Sequence, residues 1–421
     1  MWLLIFSAVL LASMTISLSN IYAFTQQKNN SQFDKQAIIN LKSEVSSLRD
    51  KFTGALESKD EKTVIKLLVF PAKTPDKVKS EVAKLRIISY QFYKLTRKKL
   101  GDNFLTDSKF PAPPELIINE IFASKLPGQI KIMTKSEPLT SYNYFDKYPV
   151  CIVSLKLNKG WALYDTSIMQ TSSFETEAKN LASRTKAYEA AIKYLNQDKD
   201  LTYKKLLGII NAPIAKILKC KIAPIEIDLS HPKNSTLSFR QATLSGDPVN
   251  MMGIMQSFGT SNELKLLSAF QKMAIGFSNF QNSALKLFGD KYKVPNTAPT
   301  YHMLNALVNK SLIEKYDVLV NRSKTKAKCG PFDLYLYSPG WIIKRLANSP
   351  MSFRDTHKMV YIWETTAKQF DRAIRLMNQK DADLDSIIKE LTKDINNIER
   401  GFFIPHDRRK PGGNKTQDTA E

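Results

Sequence analysis

Apolar residues crowd the start of the chain, recur at helical spacing through most of its length and alternate only in a few short runs. From Met1 to Gln27 no side chain is charged, and Trp2-Leu3-Leu4-Ile5-Phe6 through Val9-Leu10-Leu11 forms an apolar core of the length an export signal uses. Small residues follow at Ser17-Leu18-Ser19 and Ile21-Tyr22-Ala23, and the chain turns polar at Gln26-Gln27-Lys28-Asn29-Asn30. The expectation is a signal peptide over 1–23, cleaved near Ala23, and a linker over 24–35, with the protein secreted or periplasmic. No lysine or arginine precedes the apolar core. Residues 2–23 are also long enough to span a bilayer if retained, so membrane anchoring is the alternative. No cysteine follows the core as a bacterial lipoprotein would require.

The helical pattern repeats itself. Phe52, Ala55 and Leu56 have the same spacing as Tyr188, Ala191 and Ile192, and as Phe370, Ala373 and Ile374. An aromatic, an alanine three on and an aliphatic four on lie along one face of a helix. Each set runs through a charged turn into a second apolar helix marked by Leu67-Leu68, Leu206-Leu207 or Ile387-Ile388. A helical hairpin is therefore expected three times. After the first two come long helices, from about Val78 to Leu100 and from about Glu263 to Phe288, each ending in Gly-Asp. Glycine just past a helix end is the usual left-handed cap. Pro-containing approaches then lead to short helices at Glu115 to Ser124 and Thr300 to Val308.

Strand patterns follow in both halves: 130–133 and 150–157 in the first, 318–320 and 332–337 in the second. Asn158-Lys159-Gly160 and Ser338-Pro339-Gly340 each deliver a tryptophan, Trp161 or Trp341, into a closing strand. The expected fold is α+β: two tandem units of helices packed on a curved antiparallel sheet, plus a C-terminal helical hairpin. The units span 36–170 and 175–350, the helical half-unit 353–403, and a disordered tail 404–421. Residues 221–229 and 236–244 read as an inserted β-hairpin of the second unit, joined by His231-Pro232-Lys233-Asn234.

The aromatic-x-x-Ala-aliphatic helix running into a charged turn, with the late Lys-Gly-Trp-Ala-Leu-Tyr-Asp at 159–165, resembles the nuclear transport factor 2-like (SnoaL-like) superfamily. The resemblance implies a cone of helices on a curved sheet, and in enzymatic members an Asp or His base inside it. Neither base can be matched here residue by residue. The second copy, Trp341-Ile342-Ile343-Lys344-Arg345, lacks the acidic end of the first.

Composition narrows the chemistry. Over 421 residues, 62 Lys plus Arg against 40 Asp plus Glu give a net charge of +22, which attracts polyanions. The densest basic runs are Arg97-Lys98-Lys99, the lysines at 324, 326 and 328, and Arg408-Arg409-Lys410; none carries a nucleic-acid motif. Three cysteines, Cys151, Cys220 and Cys329, make no disulfide scaffold, and four separated histidines make no zinc cluster. Asn-x-Ser/Thr sequons start at Asn29, Asn234, Asn309, Asn321 and Asn414.

Asp102 and Asp290 recur after helix-terminal glycines and could act as bases if they faced a pocket, but ordinary turn chemistry is the reading favoured for them. His302, with Tyr142 and Asn143 at corresponding places of the two copies, has no catalytic partner at recognisable spacing. His231, His357 and His406 read as loop or surface groups, and Trp161 and Trp341 as core residues before ligand stackers. No catalytic residue, metal site or cofactor is assigned, and the ligand is left unknown. The leading expectation is an exported, non-catalytic ligand-binding or interaction protein. The alternatives are an enzyme using a pocket of the first unit, whose closing strand keeps Asp165, and an envelope-associated protein adhering to anionic polymer.

Overall fold

A computed structural model describes residues 35–403 except 72, 106–108, 124–130, 135–139, 144–151, 158–159, 166–172, 198–200, 221–222, 256–258, 296–298, 323, 325, 338–339 and 344–352. The expected signal peptide over 1–23, nearly all of the linker and the tail from 404 to 421 lie outside the described residues. The first half contains α1 (Lys35–Ser58), α2 (Glu61–Leu67), β1 (Leu68–Val69), α3 (Asp76–Leu100), α4 (Pro114–Ala123), β2 (Lys131–Thr134), β3 (Thr140–Asn143), β4 (Ile152–Leu157) and β5 (Gly160–Asp165). Then come α5 (Phe174–Gln197), α6 (Tyr203–Leu218), α7 (Pro232–Ser245), α8 (Pro248–Met252), α9 (Ser261–Phe288), α10 (Pro299–Val308) and α11 (Lys310–Glu314). The chain closes with β6 (Val318–Val320), β7 (Lys326–Cys329), β8 (Phe332–Tyr337), β9 (Gly340–Ile343), α12 (Phe353–Met377) and α13 (Leu384–Phe403).

This architecture corrects the expected one. The protein is mostly helical, 72% helix in 11 helices of seven or more residues among those described, with one small four-stranded antiparallel sheet. It is not two tandem units of helices on a curved antiparallel sheet. The reason lies in where apolar surface is buried. Of the described side chains in the first core, only Leu68 and Leu163 belong to strands, and the rest come almost entirely from helices. Strand β1 also pairs parallel with β5, so the backbone ladder in the first half, in the order β1-β5-β4-β3-β2, is mixed. The order in the second half is β6-β7-β8-β9.

The inserted β-hairpin near 221–244 is corrected too, since Pro232–Ser245 is helix α7. His231 Nδ1 accepts from the Lys233 N–H, Pro232 presets the first turn, and Gly246 closes the helix at φ 76. The alternation that suggested a strand is outweighed by Thr236, Phe239 and Thr243, which are all buried and lie on one helical face. Thr236 Oγ1 bonds to the Pro232 carbonyl at 2.9 Å, which removes the β-branched residue's unsatisfied hydroxyl.

The two cores are built the same way, a long helix covered by a later hairpin. Helix α5 lies along α3 in the first core, where Tyr188 meets Phe92 edge-on at 5.3 Å. Helix α12 lies along α9 in the second, where Phe370 meets Phe277, Phe280 and Tyr301 at 5.4, 5.8 and 6.0 Å. Gly276 faces this seam, where a Cβ would make an ordinary van der Waals contact with Phe370 Cβ at 3.5 Å. The cores therefore do not divide between 170 and 175. Ile210 belongs to the first and Ile214 to the second, so the handover falls within α6, beside its internal Pro213.

Local chemistry ends these helices as the sequence requires. Gly101 and Gly289 follow α3 and α9 with φ of 97° and 56°, conformations that side-chain-bearing residues resist. Thr260 Oγ1 accepts from the Glu263 N–H at 3.2 Å, and Glu263 reaches back to the Gly259 N–H at 3.1 Å. That reciprocal cap fixes where α9 begins. Replacing Phe370 by Ala removes the ring shared by α9, α10 and α12 and is expected to cost about 3–5 kcal/mol in urea-induced unfolding; a loss below about 1 kcal/mol would refute this account of the second core.

Candidate functional site

The residues singled out from the sequence are dispersed. Asp102 is exposed and pairs with Arg97 at 2.9 Å, and Asp290 is exposed in a 3-10 turn over Gly289–Lys291. His302 is exposed on α10 and His357 on α12, while Tyr142 and Asn143 lie on β3. His231 is a helix cap. Asp165 ends β5 opposite Ile152. Trp341 is buried in the second core; His406, Cys151 and the side chain of Trp161 lie outside the described residues. Burial raises the Cys329 thiol and pushes the half-buried Cys220 thiol up to about 11, so neither is an activated nucleophile. Asn234, Asn309 and Asn321 are engaged through their side chains, with Asp228, the Leu312 N–H and the Lys326 N–H respectively.

The structure instead gathers charges that sequence reasoning passed over. Glu177, Leu181, Arg184 and Tyr188 share one face of α5, and all four are buried. Arg184 forms an ion pair with Glu115 at the start of α4, and its Nη1 donates to the Gly259 carbonyl at 2.9 Å. Tyr188 donates its hydroxyl to Glu115 Oε2 at 3.2 Å. Glu177 accepts from both the Ser261 N–H, at 3.1 Å, and the Ser261 hydroxyl, at 2.5 Å. One helix thus ties α4 and the N-terminus of α9 together. Burial pulls the Arg184 guanidinium down to about 10, which leaves it charged at neutral pH. The signal was present: charged residues interrupt a helical apolar stripe.

A second buried carboxyl, Asp247, caps α8 by accepting from the Val249 N–H at 2.9 Å. Burial pushes it up to about 6 against three backbone N–H groups that oppose the rise. Gln271 donates to the Asp247 and Ala242 carbonyls at 3.0 and 2.9 Å, and Asn250 donates to the Ala223 carbonyl at 2.9 Å. These bonds join α7, α8 and α9. Both clusters are wholly enclosed and held by helix ends, so their chemistry is architectural. Among the described residues no group of three or more His, Cys, Asp and Glu side chains is placed to hold a metal ion, and no helix is long and apolar enough to cross a membrane.

Of the basic runs, Arg97-Lys98-Lys99 is partly spent on internal contacts: Arg97 donates to the Tyr93 hydroxyl at 3.0 Å and Lys99 to the Leu195 carbonyl. Arg408-Arg409-Lys410 lies outside the described residues. The third run forms the β6–β7 hairpin, where Arg322, Lys324, Lys326 and Lys328 are all exposed. Lys324 takes the left-handed conformation at φ 51, and Asn321 exchanges bonds with Lys326 at 2.9 Å, closing the turn. Lys326 stands over the Tyr335 ring at 5.2 Å. These four cations form no ion pair among the described residues, and they are the best-defined chemical feature of the surface.

Two measurements test the buried clusters. Arg184→Met leaves Glu115 buried without its cation and is expected to cost about 3–5 kcal/mol, whereas Arg184→Met with Glu115→Leu recovers most of it; equal losses would refute the pairing. For Asp247 the folded state binds its proton more tightly than the unfolded chain. Its stabilising contribution is therefore present below the ordinary carboxyl value of 3.8 and lost as pH rises through about 6. Between about pH 4 and pH 7, Asp247→Asn is expected to gain roughly 3 kcal/mol relative to wild type in urea unfolding; a pH-independent difference would refute it.

No protein-family model matches the chain, and no curated protein and no solved structure is similar to it.

Proposed function

We propose that this protein, exported by its apolar segment at 1–23, is a non-catalytic binding protein that engages an anionic partner through its exposed cations. The observation that carries this reading is the exposed cationic hairpin: Arg322, Lys324, Lys326 and Lys328 face solvent with no carboxylate partner among the described residues. The buried ionisable groups support it from the other side. Glu115, Glu177, Arg184 and Asp247 are committed to helix ends and to one another, so they serve the fold. The net charge of +22 adds a long-range attraction that raises encounter rates with any polyanion.

Such binding releases counterions and weakens steeply with salt. Retention on immobilised heparin is expected to fall by orders of magnitude between about 50 and 200 mM salt if several cations engage the polymer together. Failure to bind at low salt, or retention indifferent to salt, would overturn the reading.

A further inference from the structure

The two edges of the β6-β7-β8-β9 sheet are treated differently. Along β9 the edge is covered: the Trp341 N–H donates to the Leu229 carbonyl at 2.8 Å, and the Ile343 N–H to the Ile254 carbonyl at 2.9 Å. Along β6 no segment among the described residues pairs with the outer side. Asn321 and Lys326 are a hydrogen-bonded pair, so by antiparallel alternation the backbone groups of Val318 and Val320 point outward. The apolar side chains here are exposed as well, Leu319 by 68%, Val320 by 46% and Leu336 by 40%. The register places Val320 beside Ala327 and Leu334, and Leu336 two residues further along β8, so Val320 and Leu336 approach the same end of the sheet as the 321–325 turn. That end also carries Arg322, Lys324 and Lys326. Of the acids of the region, Glu314 and Asp317 lie towards the opposite end, Glu314 being paired with Lys310 at 3.7 Å, and Asp333 stands directly across from Lys328.

We infer that the 321–325 end of this sheet is a contact site for an anionic lipid bilayer. Phospholipid headgroups meet Arg322, Lys324, Lys326 and Lys328, while Leu319 from one face of the sheet and Val320 and Leu336 from the other enter the boundary between headgroups and acyl chains. The inference rests on the anionic-partner reading above and names the partner. A sugar or phosphate polymer uses the cations and leaves three apolar side chains in water. A second copy of this chain brings like charges together, and an added β-strand finds outward backbone groups at only two residues of a three-residue edge. A bilayer with anionic lipid uses both the charges and the apolar side chains, as peripheral membrane surfaces do.

The test is co-sedimentation of the full chain with vesicles of phosphatidylcholine alone or of equal parts phosphatidylcholine and phosphatidylglycerol. All variants keep residues 2–23, so any contribution of that apolar segment is common to them, and circular dichroism verifies that each is folded. Wild type is expected to favour the phosphatidylglycerol vesicles. Changing Arg322, Lys324, Lys326 and Lys328 together to Gln is expected to lower partitioning at least about a hundredfold. Changing the exposed Lys62, Lys66, Lys73 and Lys77 to Gln, which removes the same charge elsewhere, is expected to have a much smaller effect. Leu319→Ser with Val320→Ser is expected to weaken vesicle binding roughly tenfold while leaving heparin retention unchanged. Equal effects of the two charge variants would overturn the site and leave the anionic-partner reading standing. Unchanged vesicle binding by the Leu319→Ser, Val320→Ser chain would mean that an anionic polymer, not a bilayer, is the partner. Loss of wild-type heparin retention tests the earlier reading separately, and equal binding to both vesicle types overturns this one.

Discussion

Burying Arg184 inside a mostly helical protein is the constraint that the arrangement of helices has to satisfy. A guanidinium removed from water is tolerated only where a carboxylate and further acceptors surround it. Here Glu115 and the Gly259 carbonyl surround it, from opposite halves of the chain. Their positions then determine much else. Gly259 adopts φ 68, and a Cβ there would stand 3.2 Å from Arg184 Nη2. Gly253 sits so close to Pro111 that a Cβ would lie 2.2 Å from Pro111 Cβ. Gly253 is thereby pressed against Pro111 and Gly259 against Pro114, and α9 starts where Glu177 receives the Ser261 N–H and hydroxyl. The two apolar cores meet at a polar seam whose geometry is more exacting than apolar packing alone would demand.

The helices were the legible part of this protein. The spacing of Phe52, Tyr188 and Phe370 with their alanines marks buried helical faces, and all three aromatic rings are fully enclosed. Glycines 101 and 289 end the long helices as expected, because left-handed backbone is cheap only without a Cβ. Two features were not legible. Residues 236–244 read as a strand, whereas the helix over 232–245 depends on a histidine cap, a proline at its first turn and the burial of Phe239 against Phe332. The architecture was misjudged because short alternating runs suggested that sheets organise each half, whereas the apolar contacts that dominate are between helices far apart in sequence, such as α3 with α5 and α9 with α12.

Charge is divided by position. Acids and arginines inside the protein join helix ends, where a buried carboxylate accepts N–H and O–H groups. Surface cations are in excess and stay hydrated. Of the dispersed residues that might have carried chemistry, Asp102 is paired with Arg97, and Asp290 and His302 are exposed on separate elements. The buried clusters were invisible as sites in the sequence for a related reason. Glu115 and Arg184 lie 69 positions apart by residue number, and only tertiary packing joins them.

Helix α6 runs from one core into the other, with Ile210 on one side of Pro213 and Ile214 on the other. Proline lacks the donor that would bond back to residue 209, so the helix is missing a rung at the crossing. In sequence order, the cover that Tyr188 gives Phe92 arrives only with α5, and the cover that Phe370 gives Phe277 and Phe280 only with α12. Each half therefore closes its core late in its own stretch of sequence, the first only when α5 has been made and the second only when α12 has.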